Sequence, residues 1–209
     1  MGRGPDFSFE AEAMSRGARL VCGIDEAGRG PWAGPVVAAA VILDAARIPE
    51  GLDDSKKLTE TQRELLFDPI MAVSQVGVGI VGAREIDEVN ILQATYRAMA
   101  QAVTALPSVP DLALVDGNRR PPLACACQTI IKGDGRSLSI AAASIIAKVT
   151  RDRLMRDLDA VYPGYGLARH KGYGTAAHSA ALARLGPCAE HRMSFAPLRA
   201  LVQPGSDGR

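Results

Sequence analysis

Four acidic residues stand out by position. Asp25 and Glu26 close a short apolar run at 20–24, Asp116 closes another at 112–115, and Asp134 follows a third at 125–131, inside a Gly-Asp-Gly turn. An apolar run ending on an acid reads as a strand that delivers a carboxylate to the end of a sheet, where open α/β sheets place their ligand sites. Carboxylates gathered there cannot all stay ionised unless a cation offsets their repulsion. An all-oxygen acidic site suits Mg2+ or Mn2+. Two such ions, about 3.5–4 Å apart, can clamp the attacking and leaving oxygens of a phosphodiester displacement. Each acid taken alone is as readily a solvated turn residue. All four together are not, because the glycines beside them also mark close backbone approaches.

Next to the acid pair stands Gly28-Arg29-Gly30, followed by Pro31 and Gly34-Pro35. Glycines around an arginine let backbone amides approach a sugar or phosphate that a Cβ would keep away. Alone this is equally a tight hairpin turn; beside a metal site it reads as a substrate-binding loop. Asp54-Ser55-Lys56-Lys57 offers amides and two cations to a phosphate or, by composition alone, is a helix cap with surface lysines. Lys132, Lys148, Arg151, Arg169, Lys171, Arg184 and Arg192 are further candidate phosphate contacts, about half of them expected to be solvated helix faces. Asp152 rivals the four acids by spacing but falls within a long helical pattern. His191 is expected to be a structural hydrogen-bonding residue. Cys125 and Cys127 with Cys188 and His191 match none of the usual zinc spacings, so small reduced thiols packed in a sheet are the preferred reading.

The elements that must position these groups alternate along the chain. Runs at 20–24 and 35–43 make an antiparallel hairpin. A helix over 58–73 starts with a capping box at Thr59 and Gln62, and 75–82 is a strand. A long helix over 86–106 stops at Pro107, and strands follow at 112–115 and 125–131. An Ala-rich helix spans 137–161, and a Gly/Tyr loop leads to a last helix over 175–185. Strands alternating with long helices predict a layered α/β domain. Gly77, Gly79 and Gly82 spell G-x-G-x-x-G, but Val and Ile sit between them, so they belong inside a strand rather than in a nucleotide-binding turn. Residues 1–18 and 203–209 are polar and Gly/Pro-containing, and loose ends are expected there.

Length and composition agree. With 209 residues, 47% hydrophobic and 22% charged, the chain can build one proper core and is not a disordered sequence. The longest apolar stretch, 32–43, is too short to span a bilayer. Residues 1–20 have no apolar core and carry Asp6, Glu10 and Glu12, so neither a membrane anchor nor a secretory leader is expected. A soluble, cytoplasmic monomer is the expectation. The net charge of +1 hides a split: residues 1–110 hold 10 basic and 15 acidic groups, residues 111–209 hold 14 and 8. A basic second half carrying all three histidines points to an anionic partner.

The segments Gly23-Ile24-Asp25-Glu26-Ala27-Gly28-Arg29-Gly30, Asp54-Ser55-Lys56-Lys57-Leu58, Val115-Asp116-Gly117, Lys132-Gly133-Asp134, 139–152 (SIAAASIIAKVTRD) and His170-Lys171-Gly172-Tyr173-Gly174-Thr175 resemble bacterial ribonuclease HII, the type 2 ribonuclease H family. The likeness covers roughly 20–197 in order. It implies a ribonuclease H-like layered fold, with a mixed five-stranded sheet flanked by helices and a small C-terminal helical appendage. The catalytic domain would occupy 19–160 and the substrate-binding segment 161–202. It also implies an endonuclease acting on RNA–DNA hybrids and on DNA duplexes containing ribonucleotides, with two Mg2+ or Mn2+ ions on Asp25, Glu26, Asp116 and Asp134. Products would carry 3′-hydroxyl and 5′-phosphate ends. By the same likeness Gly28, Arg29 and Gly30 read the ribonucleotide 2′-hydroxyl and Tyr173 packs on the adjoining sugar. Lys56, Lys148 and Lys171 complete the expected substrate-binding set, and a sliding clamp is a possible partner. A non-catalytic nucleic-acid-binding module would share the basic half without needing four acids. A different nuclease or transferase of the same fold would share the acids but not the Gly-Arg-Gly and Lys-Gly-Tyr-Gly pair.

Overall fold

In the computed structural model, which describes residues 4–202, the apolar runs form one sheet. Its strands are β1 Val21–Ala27, β2 Val36–Ile42, β3 Gln75–Val81, β4 Leu112–Asp116 and β5 Ala126–Ile130, in the order β3-β2-β1-β4-β5. The expected hairpin is present: β1 pairs antiparallel with β2, and β3 pairs antiparallel with β2. β4 lies parallel to β1, and β5 parallel to β4. Every residue of β2 is buried, as a strand covered on both faces requires.

Two helical layers do the covering. α3 (Ala83–Thr104) packs on one face, while α2 (Glu60–Val73) and α4 (Leu138–Val161) pack on the other. The capping box of α2 forms as expected, with Gln62 N donating to Thr59 Oγ1 (3.2 Å) and Thr59 N donating to Gln62 Oε1 (2.8 Å). α4 begins at Ser137, whose hydroxyl accepts from Ile140 N at 3.3 Å. Its inner face is small (Ala141, Ala142, Ala143, Ala147) and lies close on the sheet, with Ile140, Ile145 and Ile146 filling the spaces between. Burying each isoleucine contributes about 1.5–3 kcal/mol. Gly77 and Gly79 lie within β3, where a Cβ would stand 2.0 Å from the carbonyl oxygens of Ala102 and Ala98 in α3. Close helix approach, not phosphate binding, is what those glycines serve.

Two stretches differ from expectation. The helix read as unbroken over 86–106 starts earlier and is interrupted at Asn90, where φ is 68°. Asn90 Oδ1 accepts from Leu92 N (3.0 Å) and Gln93 N (3.2 Å), so it caps the second half of α3. The leading segment, expected to be loose, carries α1 (Ser8–Ser15), which packs on Val21, Leu114, Ile130 and Ile140 through Phe9, Ala13 and Met14. Its Glu10 is buried and takes hydrogen bonds from Ser137 Oγ (2.6 Å) and Ser139 N (2.9 Å). Residues 1–3 and the tail at 203–209 lie outside the described residues.

After α4 come α5 (Leu167–His170), α6 (Ala176–Leu185) and α7 (Ala196–Val202). Leu167, Leu182 and Leu198 form a small separate core with Ala33 and Met155. This is the helical appendage the sequence predicts, and it brings 170–174 beside the loop after β1. Among the described residues no helix is long and apolar enough to cross a membrane.

Candidate active site

The parallel register sets the site. Ile24 of β1 pairs with Val115 of β4, so the next residues, Asp25 and Asp116, emerge side by side at one end of the sheet. β5 ends at the same edge, and the 3-10 turn Gly133–Gly135 that follows it presents Asp134. Gly133 N donates to Asp116 Oδ1 at 2.6 Å, tying that turn to β4. Asp25, Asp116 and Asp134 each bring a carboxylate oxygen into a group lying within 4.8 Å of one another. Glu26 stands outside that triad but lines the same cleft of about 260 Å³, with its Oε1 3.3 Å from Arg29 Nη1.

The electrostatics show what such a gathering costs. Burial, then the neighbouring Glu26 and Asp116, push the Asp25 carboxyl well above the ordinary carboxylate range. Burial also raises Glu26, against the pull of Arg29, and raises Asp116, against the Gly133 amide. Two cations answer them: Arg29 stands against Glu26, and Lys56 Nζ donates to Asp134 Oδ2 at 2.9 Å. Burial would lower this lysine, but the Asp134 bond and the surrounding acids hold it above its ordinary range. Buried, oxygen-only donors with so little compensating charge fit a hard divalent cation. Asp152, the rival acid, lies away from the triad on α4 and accepts from Lys148 Nζ at 2.7 Å.

The Gly28-Arg29-Gly30 loop forms one wall of the cleft and Tyr173 another, with Lys56, Lys148, Ser55 and Arg63 around them. Gly28 has φ of 96°, and a Cβ there would meet Pro35 O at 2.7 Å, so only glycine fits. A Cβ on Gly30 would lie 3.7 Å from the Tyr173 ring, which is itself half exposed. Lys171 does not line the cleft; its Nζ donates to Ala168 O at 2.7 Å.

Two candidate phosphate contacts are corrected. Arg151 and Arg192 are both fully buried. Arg151 donates to the carbonyls of Pro35 (Nε, 2.9 Å), Lys171 (Nη1, 2.9 Å) and Ala33 (Nη2, 3.1 Å). Arg192 donates to those of Gly34 (Nε, 3.0 Å), Arg29 (Nη1, 3.1 Å) and Gly28 (Nη2, 2.6 Å). Burial lowers both guanidiniums, Arg151 to about 10 and Arg192 to about 9. These side chains spend their donors on backbone carbonyls around the loop rather than on a solvent-facing phosphate contact, even though Arg151 borders the cleft. Their sequence surroundings, an Ala-rich helix for Arg151 and a short connecting segment for Arg192, carry no signal of this role. The remaining candidates Lys132, Arg169 and Arg184 are exposed. Cys125 and Cys127 pack beside the β1–β4 core whereas Cys188 packs in the appendage, so the unlikely-spaced zinc set does not assemble and the packed-thiol reading holds.

A mixed five-stranded sheet with converging acids at its strand ends, between two helical layers, defines the ribonuclease H-like class. The family model for ribonuclease HII matches residues 22–198. The chain is 61% identical over 197 residues to a ribonuclease HII of Azorhizobium caulinodans (94% of this chain, 76% of the relative). It is 59% identical over 202 residues to that of Parvibaculum lavamentivorans (96% and 75%). Among solved structures, ribonuclease H2 from Pyrococcus horikoshii superposes with a TM-score of 0.73 at 30% identity, covering 87% of this chain and 96% of that one. The PCNA:RNase HII complex from Archaeoglobus fulgidus gives 0.71 at 28%, covering 84% and 95%. The chain belongs to the ribonuclease HII family, endonucleases that cleave the RNA of RNA–DNA hybrids and need divalent metal.

Proposed function

We propose that this protein incises DNA duplexes 5′ to a single embedded ribonucleotide, as well as RNA–DNA hybrids, using two divalent ions held by Asp25, Glu26, Asp116 and Asp134. The observation that carries the reading is the convergence of Asp25, Asp116 and Asp134 within 4.8 Å, with Asp25 and Asp116 lining the cleft that also holds the Gly28–Gly30 loop and Tyr173. When bound, Mg2+ or Mn2+ supplies an acidified water and a Lewis acid for the departing oxygen, leaving 3′-hydroxyl and 5′-phosphate ends.

The chain's own groups do the rest. Gly28 lets the loop fold tightly over Arg151 and Pro35, and Gly30 leaves the space beside Tyr173 open for a ribose, so the loop's backbone reaches the 2′-hydroxyl, the one group that separates RNA from DNA. Tyr173 packs its ring on the adjoining deoxyribose. Arg151 and Arg192 keep the loop from relaxing. Lys56 donates to Asp134 and would be free to meet the substrate phosphate if a divalent ion held that carboxylate. Lys148 contributes positive charge to the cleft wall, whereas Lys171, tied to Ala168 O, does not. The A. fulgidus relative, solved with PCNA, makes a sliding clamp an expected partner, and a cytoplasmic location suits this substrate.

Asp25→Asn and Asp134→Asn are each expected to reduce hybrid cleavage by at least about a thousandfold while duplex binding survives, because these acids would hold the ions that stabilise charge in the reaction, whereas the duplex is bound by other groups. Near-normal turnover in Mg2+ by either variant would overturn the assignment.

A further inference from the structure

All three histidines meet in the appendage, away from the acids, and their six ring nitrogens can be assigned from partners whose roles are fixed. The Cys188 amide can only donate, and it lies 2.9 Å from His191 Nδ1, nearer than the Cys188 carbonyl at 3.3 Å; the shorter contact makes that nitrogen an acceptor. The proton of His191 is then on Nε2, which faces His178 Nε2 at 3.0 Å. His178 Nδ1 lies 3.0 Å from the Tyr173 carbonyl, which can only accept, so the His178 proton is on Nδ1 and its Nε2 is free to receive. His170, stacked on His178 with centroids 4.4 Å apart, donates from Nε2 to Tyr165 O (2.8 Å) and accepts at Nδ1 from Gly172 N (3.2 Å). No ring nitrogen is left over, and every donor meets an acceptor.

We propose that His191 and His178 form a one-directional hydrogen-bond relay that positions Tyr173 at the mouth of the cleft. It runs from the Cys188 amide through both imidazoles to the Tyr173 carbonyl. His170 fixes the preceding residue, Gly172, and the 170–174 segment is thereby held from its backbone on both sides of the tyrosine. The Tyr173 ring is half exposed, so its placement leans on these backbone bonds, together with the Thr175 amide that donates to the same carbonyl at 2.9 Å. His178 and His191 are 0% and 2% exposed, and a second proton on His178 would set two donors against each other at 3.0 Å.

The surroundings keep the relay neutral. His170 from α5, His191 with the Cys188 thiol and Glu190 from the segment after α6, and the rings of Trp32 and Tyr165 face it, and no carboxylate accepts from any ring nitrogen. Burial, then the other imidazoles, pushes His178 down to about 4, and burial lowers His191.

The inference rests on the junction role of Tyr173, so the experiment separates the two. Full-length wild type, Tyr173→Ala, His178→Ala and His178→Asn are compared on a duplex with one ribonucleotide and on an all-RNA hybrid. Asn retains a donor near the Nδ1 position. His178→Ala is expected to lower lone-ribonucleotide kcat/KM by about tenfold relative to the hybrid, and His178→Asn to recover to within about twofold of wild type, the scale expected when a positioning contact is lost or kept. If Tyr173→Ala leaves the ratio unchanged, the junction reading fails. If Tyr173→Ala shifts it but His178→Ala does not, the relay fails. Nitrogen-15 NMR of the wild type needs no variant to fold: at pH 6 it is expected to show His178 protonated only on Nδ1 and His191 only on Nε2. The opposite tautomers, or an imidazolium signal from either ring, overturn the relay.

Discussion

At the residue scale, the cost of assembling the acids is itself measurable. The ordinary aspartate value is 3.8, and burial with neighbouring acids raises Asp25 above it. Between those two values the folded, metal-free chain keeps a proton that the unfolded chain has released, so this group's contribution to stability falls as pH rises through that window. Asp25→Asn removes the penalty. The metal-free variant is expected to melt a few degrees higher than wild type at pH 7, about 2–4 °C per kcal/mol for a chain of this size. The gain should shrink as pH falls toward 4, where wild type carries the proton. A lower melting point for the variant at pH 7 contradicts this reading of the site. Asp25, Glu26, Asp116 and Asp134 were legible in the sequence because each follows an apolar run. Arg151 and Arg192 were not, since a basic residue's type says nothing about whether it meets phosphate or backbone carbonyls.

That distinction also has a test. Each cation that neutralises a phosphate steepens the fall of binding with salt by about 0.9 in the log–log slope. Arg169→Gln, at an exposed position, is expected to shallow the slope by about 1 if it meets the duplex. Arg192→Gln should leave the slope unchanged yet cost about 3–5 kcal/mol of stability, because it breaks a buried charged network. A shallower slope for Arg192→Gln, measured by fluorescence anisotropy over a salt series, contradicts its role as a loop clamp.

At the scale of elements, periodicity located the strands and the three long helices but missed the break in α3. Apolar spacing continues across Asn90, so the helical period hides the interruption. The cue was local: Asn90 followed three residues later by Gln93 is the pattern of a helix start, and Asn takes a positive φ such as the one found there more readily than most residues. Asn90→Ala loses both the cap and that tolerance. It is expected to destabilise the protein by about 1–2 kcal/mol in urea unfolding, and an unchanged midpoint contradicts the cap. The helix α1 was missed for a different reason. Its sequence has almost no amphipathic signal, and it is held by tertiary contacts, Phe9 and Ala13 on the core and Glu10 on Ser137 and Ser139. Tertiary packing overrides weak propensity in a helix this short.

At the scale of the whole molecule, the fold turns a near-neutral chain into one with chemically distinct regions. Its acids are distant in sequence, yet parallel pairing of β1, β4 and β5 brings their ends to one edge. The appendage then supplies Tyr173 to the same cleft from 39 positions beyond Asp134. Sheet order was not written in any one segment: alternating strands and helices gave the α/β class, whereas the neighbours of β1 follow from which crossovers pack. The most direct measurement is end analysis of a DNA duplex carrying one ribonucleotide, incubated with Mg2+ or Mn2+ and with chelator. The expected result is metal-dependent incision on the 5′ side of the ribonucleotide, leaving a 3′-hydroxyl on the DNA fragment and a 5′-phosphate on the ribonucleotide. No incision, incision on the 3′ side, or cleavage that persists in chelator would contradict it.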